Sequence, residues 1–146
     1  MRPGRRDFPW FIRLETRWGD NDVYGHVNNV QYYSWFDTAV NRWLIEQGLL
    51  DPVASPAIGL VVETRCRYFA PVSFPEAVDV GLSVVRLGRS SVGYEIGIFR
   101  AGAGKADAGE IVAPGEFTHV YVDRAARRPV KLRADVRAAL QMLQRA

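Results

Sequence analysis

The chain predicts an α+β domain: a five-stranded antiparallel sheet wrapped around one long central helix. Three observations carry this. The stretch from Asn29 to about Gln47 is apolar around most of its helical circumference. From Ile58 to Asp123 the apolar period changes to two, broken only by turn residues. One further alternating segment precedes the helix. A helix apolar on several sides must be enclosed, and a half-apolar sheet must cover something, so each satisfies the other.

In chain order, residues 1–9 read as a loose tail. Residues 11–18 read as a strand, with Phe11, Arg13, Glu15 and Arg17 alternating with Ile12, Leu14 and Thr16. Residues 19–28 are loop, rich in Gly, Asp and Asn. The main helix begins at Asn29, with Asn28 or Asn29 able to cap it, and Gly48 stands where a C-terminal glycine is expected. In the next strand Ile58, Leu60, Val62, Thr64, Cys66 and Tyr68 are expected on one face and Val61, Glu63, Arg65, Arg67 and Phe69 on the other. Pro71 and Pro75 end it. Residues 78–87 and 91–100 form a hairpin about Gly88, Arg89 and Ser90. A turn over 101–108 leads to a last long strand, 110–123, bent at Pro114 and Gly115. Residues 134–144 read as a short helix. The four strands after the helix are expected as an antiparallel meander.

The 146 residues suit one domain, 1–146, and 48% hydrophobic with 24% charged residues excludes a disordered chain. No apolar run reaches the roughly 20 residues of a membrane span. No secretory h-region follows Arg2, Arg5 and Arg6, and the single cysteine, Cys66, forms no internal disulfide. Cytoplasm is the default compartment. The net charge of +3 is uneven: residues 124–146 carry +6 and the remainder −3. That basic end suits an anionic ligand or a solvated helix face, and no nucleic-acid motif accompanies it.

The densest polar cluster runs from Trp18 to Asn29 and feeds the helix N-terminus. Helix starts present unpaired N–H groups and a partial positive charge, which can hold an oxyanion. A carboxylate beside them can activate water or attack an acyl carbon. The bland alternative is a turn built from Asp and Asn, with His26 as a cap. Metal-site histidine spacing, Gly-x-Ser-x-Gly, a dinucleotide glycine fingerprint and a P-loop are all missing from the sequence.

The run Arg17-Trp18-Gly19-Asp20-Asn21-Asp22-Val23-Tyr24-Gly25-His26-Val27-Asn28-Asn29, continuing to Tyr33 and then Trp35-Phe36-Asp37-Thr38-Ala39, resembles the signature of the 4-hydroxybenzoyl-CoA thioesterase family of hotdog proteins. Val62-Glu63, Arg67-Tyr68, Pro71, residues 87–91 and residues 119–123 follow in the family's order. The resemblance implies a hotdog fold and hydrolysis of an acyl-CoA to the free acid and CoA. It implies Asp22 as the catalytic carboxylate and the Asn29 N–H as the group holding the acyl carbonyl. Plant acyl-carrier-protein thioesterases are similar, with Asp-x-Asn-x-His; His26 fits that pattern, while Tyr24 stands in place of the asparagine. His26 or Tyr24 would then orient water or the thioester.

Arg89, Ser90 and Ser91 resemble the turn near the pantetheine or phosphate end of CoA. No metal or redox cofactor is implied, and edge strands together with the family imply a homodimer or homotetramer. An acyl-carrier-protein thioesterase and a non-catalytic acyl-CoA binding protein stay open as alternatives. Asp20 is expected to fix the loop, Asp37 to make a structural hydrogen bond, Glu63 to ion-pair with Arg65 or Arg67, and Cys66 to be a small core residue.

Overall fold

The computed structural model describes residues 2–101 and 109–145. The turn expected over 101–108 therefore lies, apart from Ala101, outside the described residues. The elements are β1 (Trp10–Glu15), α1 (Asn29–Glu46), β2 (Ala57–Cys66), β3 (Ala77–Leu87), β4 (Ser91–Arg100), β5 (Ile111–Asp123) and α2 (Ala134–Gln141).

All five strands form one antiparallel sheet in the order β1-β3-β4-β5-β2. The expected four-strand meander holds only for β3, β4 and β5. β2 crosses to the far edge and pairs with β5, leaving β1 to pair with β3. The chain leaving α1 must return beside the sheet, and the long β5 offers the partner that a sequential reading assigns to β3.

Helix α1 buries Tyr32, Trp35, Phe36, Ala39, Val40, Trp43 and Leu44, the 3-4 spacing of a single stripe. Val30 and Ile45 face outward, so in the single chain the helix is enclosed on one side and not on several. The buried stripe meets Val78, Val80, Leu82 and Val84 of β3, Val92, Tyr94, Ile96 and Ile98 of β4 and Phe117 of β5 in one core. Gly115 lies opposite Cys66, and a Cβ there would stand 2.3 Å from Phe36 Cζ. The helix approaches the sheet closely because that position has no side chain. Gly115→Ala is expected to cost about 1–3 kcal/mol by overpacking, read as a lower urea midpoint with an unchanged slope.

β2 breaks its own alternation. The register shifts between Val61 and Glu63, so Val62 is the extra residue of a bulge. Gly59, Val61, Thr64 and Cys66 consequently share the helix-side face, opposite Tyr121, His119, Phe117 and Gly115, while Ile58 and Leu60 share the outer face with Glu63 and Arg65. One added residue exchanges the faces beyond it, which strict counting from Ile58 misses.

The outer face of the sheet has a second, smaller core of Phe8, Phe99 and Ile111, with Phe11 and Phe69 against it. A Cβ at Gly81 or Gly97 would meet the Phe8 ring at 2.8 or 2.7 Å, so these glycines leave the trough that Phe8 fills. Arg5 Nη1 bonds Asp79 Oδ2 at 2.9 Å, and Arg13 Nε bonds Asp79 Oδ1 at 2.9 Å. The two guanidinium groups outweigh the burial of Asp79 and hold its carboxyl below the usual range. Residues 5–8 are thus a docked strap, contrary to the loose tail expected over 1–9. The tail's anchors are one aromatic ring and one cation, too few to show as periodicity.

Candidate active site

The loop before α1 is a tight, closed turn. Asp22 N–H donates to His26 O at 2.8 Å, Gly25 N–H donates to Asp22 O at 3.0 Å, and Gly25 sits at φ 80°. That positive φ is why glycine occupies the position. Three contacts fix the turn to the segment after β2: Val27 N–H to Val72 O at 2.7 Å, Phe74 N–H to Asn21 Oδ1 at 3.0 Å, and Ser73 Oγ to Gly25 O at 2.8 Å. Asn28 is the N-cap, its Oδ1 accepting from Val30 N–H at 3.0 Å.

Asp20 and Asp22 have different surroundings. Asp20 is 4% exposed, accepts the Arg17 N–H at 2.7 Å and is gripped by the Arg17 guanidinium at 2.9 Å. It fixes the loop, as the sequence suggests. Asp22 is partly exposed; its Oδ1 accepts Tyr24 N–H at 2.9 Å, and its Oδ2 has no partner among the described residues. The Asn29 N–H likewise donates to nothing among the described residues, as befits the first turn of a helix.

A cleft of about 280 Å³ opens at this helix start, lined by His26, Val27, Asn29, Tyr32, Tyr68 and residues 69–71. The structure therefore brings together His26 and Asn29 of the expected set. Asp22 and Tyr24 sit in the same turn but outside the cleft wall, and Tyr24 is 82% exposed. Tyr68 also lines this cleft, a place its strand-end position in the sequence does not mark. Its hydroxyl donates to Asn29 O at 3.4 Å, and its ring meets Tyr32 edge-on at 5.1 Å. The signal was present, since Arg67-Tyr68 belongs to the resemblance, but a strand-end tyrosine reads as packing. Burial raises the Tyr68 phenol, with Cys66 adding to the effect, so it remains a protonated donor.

Arg89, Ser90 and Ser91 are not near this cleft in one chain. Ser91 pairs with Val120, which pairs with Leu60, whereas the helix start adjoins the Cys66 end of β2. The stretch of strand from Leu60 to Cys66 puts the turn about 20 Å away. The turn is held by the C-terminal segment: Leu132 N–H donates to Arg89 O at 2.9 Å and Arg137 Nη2 to Gly88 O at 2.6 Å. In the same basic segment Arg124 Nε donates to Ser55 O at 2.6 Å, so this cation, like Arg137, serves the fold.

Three weaker expectations resolve as follows. Asp37 is exposed and its Oδ1 accepts from Asn41 Nδ2 at 3.1 Å. Glu63 makes no ion pair among the described residues; Arg65 pairs with Glu116 at 3.3 Å instead, because β5 places that carboxylate directly opposite. Cys66 is half-buried against the core, and burial pushes its thiol up to about 11, which leaves it protonated and a poor nucleophile near neutral pH. Among the described residues no cluster of three or more His, Cys, Asp or Glu is placed to hold a metal, and no helix is long and apolar enough to cross a membrane.

A five-stranded antiparallel sheet in the order β1-β3-β4-β5-β2 wrapped on one long helix is the hotdog fold. The profile of the thioesterase-like superfamily matches residues 16–140, and the chain belongs to that family. Among solved structures it is similar to the PA5185 protein of Pseudomonas aeruginosa PAO1, at 50% identity over 100% of this chain and 99% of that one, with a TM-score of 0.93. PA2801 of Pseudomonas aeruginosa, described provisionally as a thioesterase, is 30% identical over 89% of this chain and 96% of its own, with a TM-score of 0.80. The gentisyl-coenzyme A thioesterase BH1999 shares the fold at 24% identity, 90% and 99% coverage and a TM-score of 0.76. Among curated proteins none matches the chain significantly.

Proposed function

We propose that this chain hydrolyses an acyl-CoA thioester to the free acid and CoA. The observation that supports the reading is that one short segment running into α1 holds a carboxylate oxygen, Asp22 Oδ2, and a backbone donor, Asn29 N–H, both without a hydrogen-bond partner among the described residues. The thioester carbonyl oxygen accepts from the Asn29 N–H, where the helix start favours developing negative charge. The Asp22 carboxylate then either takes a proton from water as the water oxygen bonds the acyl carbon, or bonds that carbon itself to give an anhydride that water opens. In both routes the C–S bond breaks and the sulfur leaves as the CoA thiolate. His26, which lines the cleft, or Tyr24 orients the water or the thioester.

The site reaches its full form in a dimer. β2 is a long sheet edge with Val61 46% and Val62 58% exposed, an invitation to pair with a second copy. Antiparallel pairing of two β2 edges turns the Arg89, Ser90 and Ser91 end of the second copy toward this copy's helix start. That turn can then take the CoA end of a substrate held at Asn29. Light scattering at micromolar concentration is expected to give a dimer or a multiple of it; the 16.4 kDa monomer would contradict the arrangement.

The reading is tested by free-thiol release from matched acyl chains on CoA and on a carrier protein. Faster release from CoA is expected. Preference for the carrier thioester would move the assignment to an acyl-carrier-protein thioesterase, and tight acyl-CoA binding without release to a binding protein.

A further inference from the structure

The sheet order ends on β2, and residues 61–65 are the exposed run of that edge strand. Glu63 and Arg65 stand on its outer face, with Thr64 between them on the helix side. Arg65 Nη1 holds Glu116 of β5 at 3.3 Å, while Glu63 makes no ion pair among the described residues. A carboxylate and a guanidinium two residues apart on an open edge are self-complementary, because an antiparallel copy presents the same two charges in reverse order.

We infer that two copies pair through β2 with Thr64 facing itself across the two-fold axis, so that Glu63 of each copy lies directly opposite Arg65 of the other. This rests on the β2 dimer set out above, and it fixes that dimer's register. Residues directly opposite in an antiparallel pair point to the same face, which excludes any register that sets a helix-side residue against an outer one. Centring the axis on Glu63 opposes two carboxylates, and centring it on Arg65 opposes two guanidinium groups; both are destabilising. Centring it on Thr64 gives two opposite-charge pairs. In each, the Arg65 fork keeps Glu116 on one nitrogen and offers its others to the new carboxylate. With the Val62 bulge counted as one position, Cys66 then faces Val61 of the second copy, both on the helix side, and Arg67 follows opposite Leu60. Leu60 stands in one row with Val120 and Ser91. The register therefore brings the second copy's Arg89, Ser90 and Ser91 turn level with Arg67 and Tyr68, whose hydroxyl touches Asn29 O. Three strand spacings separate them, about 14 Å. Two surface charges thus decide whether the second copy's turn lines up with this copy's helix start.

The test reads assembly and needs no turnover, so its failure would leave the hydrolysis reading standing. Glu63→Arg and Arg65→Glu are prepared singly and by co-expression, and the assemblies are weighed by native mass spectrometry. Both side chains are exposed, so each variant is expected to melt close to the parent. Alone, each variant sets two like-charge pairs across the axis, and its dimer dissociation constant should rise at least roughly tenfold. Together they restore two opposite-charge pairs, so the mixed dimer should exceed its statistical share. Glu63 has no ion pair within its own chain to lose, so Glu63→Arg reads the register even where Arg65→Glu folds poorly. A statistical mixture, parent-like association of either variant alone, or a monomeric parent would overturn the register.

Discussion

Asp22→Asn is expected to lower turnover by at least roughly a hundredfold, the scale on which loss of a general base is felt. The substitution keeps the Oδ1 acceptor that closes on Tyr24 N–H and removes the charge on the unpartnered oxygen. Its thermal midpoint should barely move, because loop positions outside the core seldom contribute more than about 1 kcal/mol. A non-hydrolysable acyl-CoA analogue should still bind. Asp20→Asn should behave in the opposite way: its carboxylate is buried under Arg17 and accepts a loop N–H, so stability should fall more than turnover. Near-parental turnover in Asp22→Asn would remove the assignment, and global unfolding of that variant would return Asp22 to a purely structural role.

The second large effect concerns acid stability. His119 is 2% exposed, ringed by Tyr94, Phe117 and Tyr121, and its Nδ1 has no partner among the described residues. The ring lies where a Cβ on Gly59 would approach Nδ1 to 2.7 Å, so Gly59 makes the room for it. Burial lowers its pKa to about 4 from an ordinary value of 6.5. Between those values the unfolded chain binds the proton more readily than the folded one. His119 therefore contributes full stability above about pH 6.5 and loses it progressively down to about pH 4. The loss is on the order of 3 kcal/mol across that window, with more than half of it above pH 5. His119→Phe, which suits the aromatic surroundings, should flatten the dependence of the thermal midpoint between pH 7 and pH 5. An equally steep dependence in the variant would show that another group is titrating.

Much of this architecture was legible because it is periodic. The long apolar helix, the alternation of β3, β4 and β5 and the 88–90 turn stand in the sequence as patterns, and Asn28 and Gly48 mark the helix ends, while the narrowing of the apolar surface to one buried stripe shows only in the fold. What escaped is set by single residues and long-range pairing. Val62 bulges because β5 holds both flanks in register, and β2 pairs with β5 across an intervening hairpin. Phe8 docks because Gly81 and Gly97, distant in sequence, leave one trough. The Trp18 to Asn29 loop was legible as a chemical cluster, while its division of labour was not. Only the fold separates the buried, ion-paired Asp20 from the open Asp22, and brings Tyr68 against the helix start. The Arg89 turn and the loop lie in the family's order along the chain yet at opposite ends of β2, a separation that sequence order cannot show.

The central claim is that this chain cleaves acyl-CoA thioesters, and it is tested most directly by thiol release from short, medium, long and aromatic acyl-CoAs with the purified protein. The expected result is release from at least one class with kcat/KM on the order of 10⁴ M⁻¹ s⁻¹ or more, lowered at least roughly a hundredfold by Asp22→Asn. Saturable binding of the acyl-CoAs with no thiol release above the buffer rate in any class would contradict it.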